Sequence, residues 1–136
     1  MTPTTLDTEQ LHGLVPLSAT LGIRLSEARS DAVRLELDWR AELCTAGGVL
    51  HGGALMSLAD TAGAVCAFLN LPAGAEGTTT IESKTNLLAA VRGGTVTATA
   101  TPLHVGSSQI VVETELRRDD DRLVAKTIQT QAVLRS

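Results

Sequence analysis

The segment Leu50–Leu69, LHGGALMSLADTAGAVCAFL, decides the fold of this chain. It begins with two glycines close together and continues as an apolar run rich in Ala, Leu and Met, which predicts one long helix. Apolar residues occur on every side of the helical wheel, a pattern typical of a helix that is buried on most of its surface. Asp60 interrupts the run, and no other Asp, Glu, Lys or Arg occurs between Glu42 and Glu76. A carboxylate in apolar surroundings is costly unless it is paired, hydrogen-bonded or functional, so Asp60 is the first candidate for a catalytic group.

Gly52 and Gly53 mark the predicted start of this helix. A helix N-terminus offers unpaired N–H groups and a positive dipole end, so it suits a carbonyl oxygen or an oxyanion. Asp60 lies eight residues beyond Gly52, which is about 12 Å along a helix axis. One helix cannot easily bring its own N-terminus and its own Asp60 to the same carbonyl group, whereas two antiparallel copies could. The spacing therefore hints at a site shared between two subunits of a symmetric dimer.

The composition argues against several classes of protein. A chain of 136 residues fits one domain, 1–136, and a net charge of −4 without any basic block argues against a nucleic-acid partner. Cys44 and Cys66 lack CxxC spacing and are expected to be reduced packing residues. The three histidines are scattered, so no metal site is expected. The chain starts without a signal-peptide pattern and its apolar run is shorter than a membrane span, so we expect a cytoplasmic protein with no membrane partner.

Alternating residues and turn residues predict strands on both sides of the central helix. Residues 1–16 form a predicted N-terminal helical segment, capped by Thr4 or Thr5. Gly13 and Pro16 are expected to end it. The predicted strands are Leu21–Ala28, Val33–Trp39, Thr78–Leu88, Thr95–Thr101, Gln109–Arg117 and Leu123–Leu134. One antiparallel sheet wrapped on one central helix is an α+β fold, and the pattern by itself leaves several α+β arrangements open.

The motif His51-Gly52-Gly53, followed by Ser57-Leu58-Ala59-Asp60-Thr61-Ala62, resembles the PaaI-like (phenylacetic-acid-degradation) group of hotdog-fold acyl-CoA thioesterases. The resemblance covers roughly residues 17–134. It implies the hotdog fold, in which the sheet wraps the helix and protomers pair. We expect a homodimer with shared active sites, assembled further into a dimer of dimers, a homotetramer. The resemblance also implies hydrolysis of an acyl-CoA thioester to free CoA and a carboxylic acid. No cofactor is needed, since coenzyme A is part of the substrate.

The resemblance gives each residue of the motif an expected role. Asp60 would be the catalytic acid residue, acting as a general base on water or as a nucleophile on the thioester carbonyl, and the sequence does not choose between these. The N–H of Gly52, in the partner subunit, would hold the thioester oxygen and stabilise the oxyanion. Gly53 would let the substrate approach the backbone closely. His51 would orient the loop or assist the carbonyl, and a simple capping or packing histidine explains it equally well.

Two positions depart from the family pattern. Relatives often carry Asn or Gln six residues before the motif histidine, where this chain has Thr45, whose shorter hydroxyl puts the role of that residue in doubt. Some relatives carry Ser or Thr four residues after the acid, where this chain has Ala64. Both departures fit slower catalysis or a different subgroup, and they add weight to the alternative function, a non-catalytic acyl-CoA-binding hotdog protein. A hotdog hydratase would need an acid paired with a catalytic histidine in a different motif, which the sequence lacks.

Further substrate contacts are expected from segments that resemble those of relatives. A strand hydroxyl near the site is predicted from the threonine run at residues 78–80, with Thr79 as the candidate, although a threonine run is also simply typical of a strand. The phosphates of coenzyme A need cations or backbone donors. Arg92 at one turn, and Gly106 with Ser107 at another, resemble the segments that supply them. Ordinary turns with a solvated arginine explain these residues equally well.

Overall fold

The computed structural model describes residues 6–136, so the predicted caps Thr4 and Thr5 lie outside the described residues. Residues 6–136 form three helices and six strands, with a short 3-10 turn at Ala41–Leu43. In chain order they are α1 (Thr8–Leu14), α2 (Pro16–Leu21), β1 (Arg24–Arg29), β2 (Ala32–Asp38), α3 (Gly52–Phe68), β3 (Gly77–Leu87), β4 (Thr95–Val105), β5 (Gln109–Arg117) and β6 (Leu123–Leu134).

The strands form one antiparallel sheet in the order β1-β2-β4-β5-β6-β3. Helix α3 packs against the inner face of this sheet and contacts every strand. The arrangement is the predicted α+β architecture of one helix wrapped by one sheet. It follows from the strand pattern, because in β2 the side chains of Val33, Leu35 and Leu37 are fully buried while Arg34 and Asp38 point to solvent.

The N-terminal region differs from the prediction. Helix α1 begins at Thr8, and Asp7 caps it by accepting a hydrogen bond from the N–H of Gln10 at 2.8 Å. Pro16 does not simply end a helix: it is the first residue of α2, where its missing N–H costs nothing and its fixed φ suits a helix. The predicted strand from Leu21 therefore starts only at Arg24.

Strand β4 is also longer than predicted. The expected end was Thr101, yet the strand continues through Pro102 to Val105. An irregularity in the pairing with β5 lies between Pro102 and His104. A bulge at this point accommodates a proline inside a strand, because one residue leaves the hydrogen-bonded ladder. The connection expected over residues 104–108 is correspondingly shorter.

The two edges of the sheet are unlike. Edge strand β1 has six residues, and its Leu25 N–H donates to the Thr8 hydroxyl of α1 at 2.9 Å. Edge strand β3 has eleven residues, pairs only with β6, and has no fully buried position. Ile81 and Leu87 are more than half exposed. A long open edge with exposed apolar side chains is a surface that natural proteins normally cover or pair.

Candidate active site

Asp60 lies in the middle of α3, on the one side of the helix that the sheet does not cover. The residues on this side are fully or half exposed and follow one another at helical spacing; we call them the open face of α3, and they are Gly53, Met56, Ser57, Asp60, Ala64 and Phe68. The remaining side packs on the sheet, as the apolar sequence predicted. Asp60 is exposed rather than enclosed in apolar groups, and among residues 6–136 no cation pairs with it.

Within residues 6–136, Gln129 of β6 is the side chain that donates a hydrogen bond to the Asp60 carboxylate. Its Nε2 lies 3.4 Å from Asp60 Oδ1, and the side chain is fully buried between the helix and the sheet. The sequence analysis missed this residue. Its only sequence signal is that polar Thr127, Gln129 and Gln131 alternate on what becomes the inner face of β6.

Asp60 lines two adjacent cavities. The first, of about 210 Å³, lies between α1 and α3. Apart from Asp60 and Thr61 its walls are apolar, and they comprise Leu6, Leu11, Leu14, Val15, Ala64, Val65, Phe68 and Leu69. The Thr61 hydroxyl donates to the carbonyl of Ser57 at 2.8 Å, so it does not offer its proton to the cavity. An exposed carboxylate therefore stands at the edge of an almost wholly apolar space.

The second cavity, of about 340 Å³, contains a hydroxyl from β3. Its lining includes Met56, Ser57 and Asp60 from α3 together with Ser83. The predicted strand hydroxyl was that of Thr79, which pairs with Ala132 and lines neither cavity. Ser83 sits closer to Asp60 along the sheet because it pairs with Gln129. The pairing of β3 with β6 is irregular between Thr80 and Glu82, which changes which side chains of β3 point to each face of the sheet. The sequence pattern does not reveal this irregularity.

The start of α3 presents one free N–H group. His51 is the N-cap, and its Nδ1 accepts a hydrogen bond from the N–H of Gly53 at 2.7 Å. This acceptor role places the ring proton of a neutral His51 on Nε2. The N–H of Gly52 has no acceptor among the described residues. Of the two glycines, Gly52 is therefore the one whose N–H is available to an oxyanion, and the capping interpretation of His51 is the one that the geometry shows.

The loop before His51 is held in a tight turn. The N–H of Thr45 donates to the carbonyl of Val49 at 2.8 Å, and Gly47 and Gly48 both adopt positive φ. The Thr45 side chain is exposed. Arg92 Nη1 donates to the Gly47 carbonyl at 3.2 Å, so this guanidinium contributes to the shape of the loop.

The residues expected to contact coenzyme A lie at two ends of the sheet. Arg92 lies near the start of α3, because the neighbouring Val91 accepts a hydrogen bond from the N–H of Leu50. Gly106 and Ser107 form the turn between β4 and β5, at the opposite end. One chain therefore does not bring these two segments together.

The titratable thiol on the buried side of α3 is unsuited to nucleophilic attack. Cys66 is fully buried and free. Burial, and secondly the negative charge of Asp31, raise the pKa of its thiol to about 11. The thiol therefore stays protonated near neutral pH, which agrees with the expected packing role.

Two further findings concern the described part of the chain. Between residues 6 and 136, no group of three His, Cys, Asp or Glu side chains lies close enough together to hold a metal ion. None of the helices in this range is long and apolar enough to cross a membrane.

Known proteins of similar sequence and structure share this architecture. Residues 47–125 match the family described as the thioesterase superfamily. The Mycobacterium tuberculosis protein Rv1847, which is named as an esterase, is 31% identical over 118 residues, which cover 85% of this chain and 84% of that protein. The crystal structure of thioesterase HI1161 from Haemophilus influenzae superposes with a TM-score of 0.88 at 29% identity, covering 97% of this chain and 93% of that one.

A mutant of thioesterase PA1618 from Pseudomonas aeruginosa is similar to the same degree, with a TM-score of 0.87, 28% identity and coverage of 96% of both chains. The predicted hotdog fold is confirmed by these likenesses and by the sheet that wraps α3. Since the family match spans more than half of its residues, the chain belongs to the thioesterase superfamily.

Proposed function

We propose that this protein hydrolyses an acyl-CoA thioester to free CoA and a carboxylic acid, as a member of the PaaI-like group. Membership of the thioesterase superfamily supports thioester hydrolysis as the general activity. The observation that carries the finer proposal is the placement of Asp60, an exposed carboxylate without a cationic partner among the described residues, at the edge of an apolar cavity. Such a carboxylate is free to act on a carbonyl whose acyl group fills the cavity.

Two routes lead from Asp60 to the products. As a general base, Asp60 takes a proton from water, the hydroxide attacks the carbonyl carbon, and the C–S bond breaks to release the CoA thiolate, which is then protonated. As a nucleophile, Asp60 attacks the carbonyl carbon itself, the C–S bond breaks to release the CoA thiolate, which is then protonated, and water hydrolyses the resulting mixed anhydride to the carboxylic acid and free Asp60. Both routes place negative charge on the carbonyl oxygen, and the free N–H of Gly52 is the donor proposed to stabilise it.

The two groups are proposed to meet across a homodimer. Within one chain, Asp60 lies eight positions beyond Gly52 along α3, a rise of about 12 Å. A second copy with its α3 antiparallel would bring Gly52 of the partner subunit towards Asp60, and would do so twice by symmetry. The open edge of β3 and the open face of α3 support such a pairing, because both expose surface that a partner would cover. A dimer of dimers remains our proposal for the full assembly.

The cavity suggests the kind of acyl group. Apart from Phe68, Asp60 and Thr61 its walls are aliphatic, and the Thr61 hydroxyl already donates to the Ser57 carbonyl, so no side chain of the lining offers a hydrogen-bond donor to a substituent on the acyl chain. A polar acyl group would lose its hydration there without compensation, so we expect an apolar acyl group. The nucleotide of coenzyme A would contact Arg92 and Gly93 of one subunit, with Gly106 and Ser107 of the partner subunit. For the strand hydroxyl, Thr79 stays a prediction, and Ser83 is the better-placed candidate.

A second candidate function is binding of acyl-CoA without turnover. Ala64 lines the cavity beside Asp60 and contributes no hydroxyl, and the exposed Thr45 carries no amide. A site with fewer groups to orient water would bind the ester and hydrolyse it slowly or not at all.

Thiol release from a panel of short, long and aromatic acyl-CoAs tests the proposal. Asp60→Asn should lower kcat by about 10³-fold while the protein still binds acyl-CoA. Glu76→Gln is the matched control, since it removes one exposed negative charge that forms no ion pair among the described residues, and its activity should equal that of the native protein. A folded native protein that binds the esters but releases no thiol would favour the binding function instead.

A further inference from the structure

Strand β6 carries two glutamines in the protein interior, two residues apart and on the same face of the sheet. Gln129 and Gln131 are both essentially inaccessible to solvent. Gln131 Nε2 donates to the Thr80 hydroxyl at 2.6 Å, whereas Gln129 Nε2 donates to Asp60 Oδ1 at 3.4 Å. Gln129 Oε1 has no hydrogen-bond partner among the described residues. A buried acceptor without a partner lowers stability, so its presence in a native protein calls for an explanation.

Helix α3 leaves room for the carboxamide of Gln129. Gly63 is buried in the middle of the helix, and a Cβ atom built there would overlap the Gln129 carboxamide. A glycine in a helix interior is itself unfavourable, because it adds freedom to the unfolded chain. Two features that lower stability, Gly63 and the unpaired Gln129 carbonyl, therefore coincide within one helical turn of Asp60.

The orientation of the carboxamide follows from its neighbours. Its nitrogen end must face Asp60, because a carbonyl oxygen next to an ionised carboxylate would be repelled. The separation of 3.4 Å is long for a hydrogen bond, as is common for catalytic groups before substrate binds. The hydrogen bond from Gln129 reaches Asp60 Oδ1 from the side of the sheet, so that Asp60 Oδ2 stays available to water or to the thioester carbonyl.

We propose that Gln129 is a positioning residue for Asp60, and that Gly63 is required because only glycine leaves space for it. This inference rests on the proposed function, in which Asp60 acts on the thioester. Gln129 limits the rotation of the carboxylate, so that one oxygen stays directed at water or at the carbonyl carbon. Holding a reacting group in a productive orientation raises kcat without any contact between Gln129 and the substrate.

A matched pair of variants tests this role. Methionine keeps the length and flexibility of glutamine but has no donor, so Gln129→Met should lower kcat about tenfold and leave KM within about twofold of the native value. Its melting temperature should equal or exceed that of the native protein, because the unpaired carbonyl is removed. Gln131→Met, two residues along the strand, should keep kcat within about twofold and lower the melting temperature, because the Thr80 hydroxyl loses its partner.

A double-mutant cycle tests the link to Gly63. Gly63→Ala should displace the carboxamide and lower kcat by about the same factor as Gln129→Ala. In the Gln129→Ala background the added methyl group has space, so Gly63→Ala should then have no further effect on kcat. Equal and independent losses from the two substitutions would overturn the proposed coupling.

The outcomes separate this inference from the proposed function. If the native protein releases no thiol from any ester, the proposed function and the inference fail together. If the native protein is active and Asp60→Asn is not, a Gln129→Met variant with native kcat would overturn the inference alone. A Gln129→Met variant that loses stability as Gln131→Met does, with no greater loss of kcat, would show a structural role and would also overturn it.

Discussion

The two sides of helix α3 differ in what they contribute. On the sheet side, Leu58, Ala62 and Cys66 are fully buried and form the centre of the aliphatic core. On the open face, Met56 is 43% exposed and Phe68 is 57% exposed, with Asp60 between them. One side of the helix therefore packs in the core against the sheet, and the other side carries Asp60 at the surface of the chain. Substitutions on the sheet side should change stability, and substitutions on the open face should change activity.

The largest effect is expected from a pair of large-to-small substitutions on opposite sides of α3. Leu58→Ala removes a fully buried side chain and should cost about 2–5 kcal/mol in the free energy of unfolding, because it leaves a cavity against the sheet. Met56→Ala, two residues earlier on the open face, should cost less, because this side chain is 43% exposed within one chain and its removal leaves no cavity against the sheet. Urea unfolding of both variants measures the difference. Equal losses would mean that the open face is as tightly packed as the core.

The thiol of Cys66, on the buried side of α3, should make the free energy of unfolding depend on pH at alkaline pH. Burial and the charge of Asp31 raise the pKa of Cys66 from 9.0 to about 11, so the unfolded chain loses this proton more readily than the folded one. The contribution of the protonated thiol to the free energy of unfolding is complete below pH 9 and is lost as pH rises towards 11. At pH 10 the free energy of unfolding is lower by at most about 1.4 kcal/mol.

Cys66→Ala removes this part of the pH dependence. Unfolding free energies of the native protein and of the variant, measured from pH 8 to pH 10, should converge as pH rises. Parallel curves would show that the Cys66 thiol ionises equally in the folded and unfolded chain.

The smallest effect is expected at the wall of the apolar cavity. Phe68→Ala should raise KM for an apolar acyl-CoA about fivefold, because the cavity loses one apolar wall, with little change in kcat. Its stability should change by less than about 1 kcal/mol, since the side chain is mostly exposed in the single chain. Steady-state kinetics and thermal unfolding measure both quantities. A KM that does not change for any apolar ester would remove this cavity from the substrate site.

The sequence predicts a helix or strand correctly where the local residue pattern and the packing of that element in the folded protein favour the same secondary structure. The alternation of β2 and the long apolar run of α3 match the structure closely, because each follows from one periodicity. Pro16 shows where local pattern is ambiguous, since proline both ends helices and begins them.

The site is less predictable than the fold, because part of it depends on contacts between distant segments. Asp60 and Gly52 stand in one motif, but Gln129 is 69 residues away from Asp60 and meets it only through the packing of β6 under α3. Ser83 reaches the second cavity through an irregular pairing of β3. In a nearly uniform apolar helix, Asp60 is the only charged residue that marks the uncovered side.

The most direct test of the account uses a dimer with two different lesions. Gly52→Pro removes the proposed donor N–H. Position 52 is the first of α3 and follows an extended His51, which suits proline, although its Cβ would displace the exposed side chain of Leu87. A purified heterodimer of Asp60→Asn and Gly52→Pro subunits should have about half of the native kcat, because one of its two shared sites contains both lesions and the other contains none. Each mutant homodimer should be nearly inactive. A heterodimer as inactive as the two homodimers would contradict a site shared between Asp60 and Gly52 of the partner subunit.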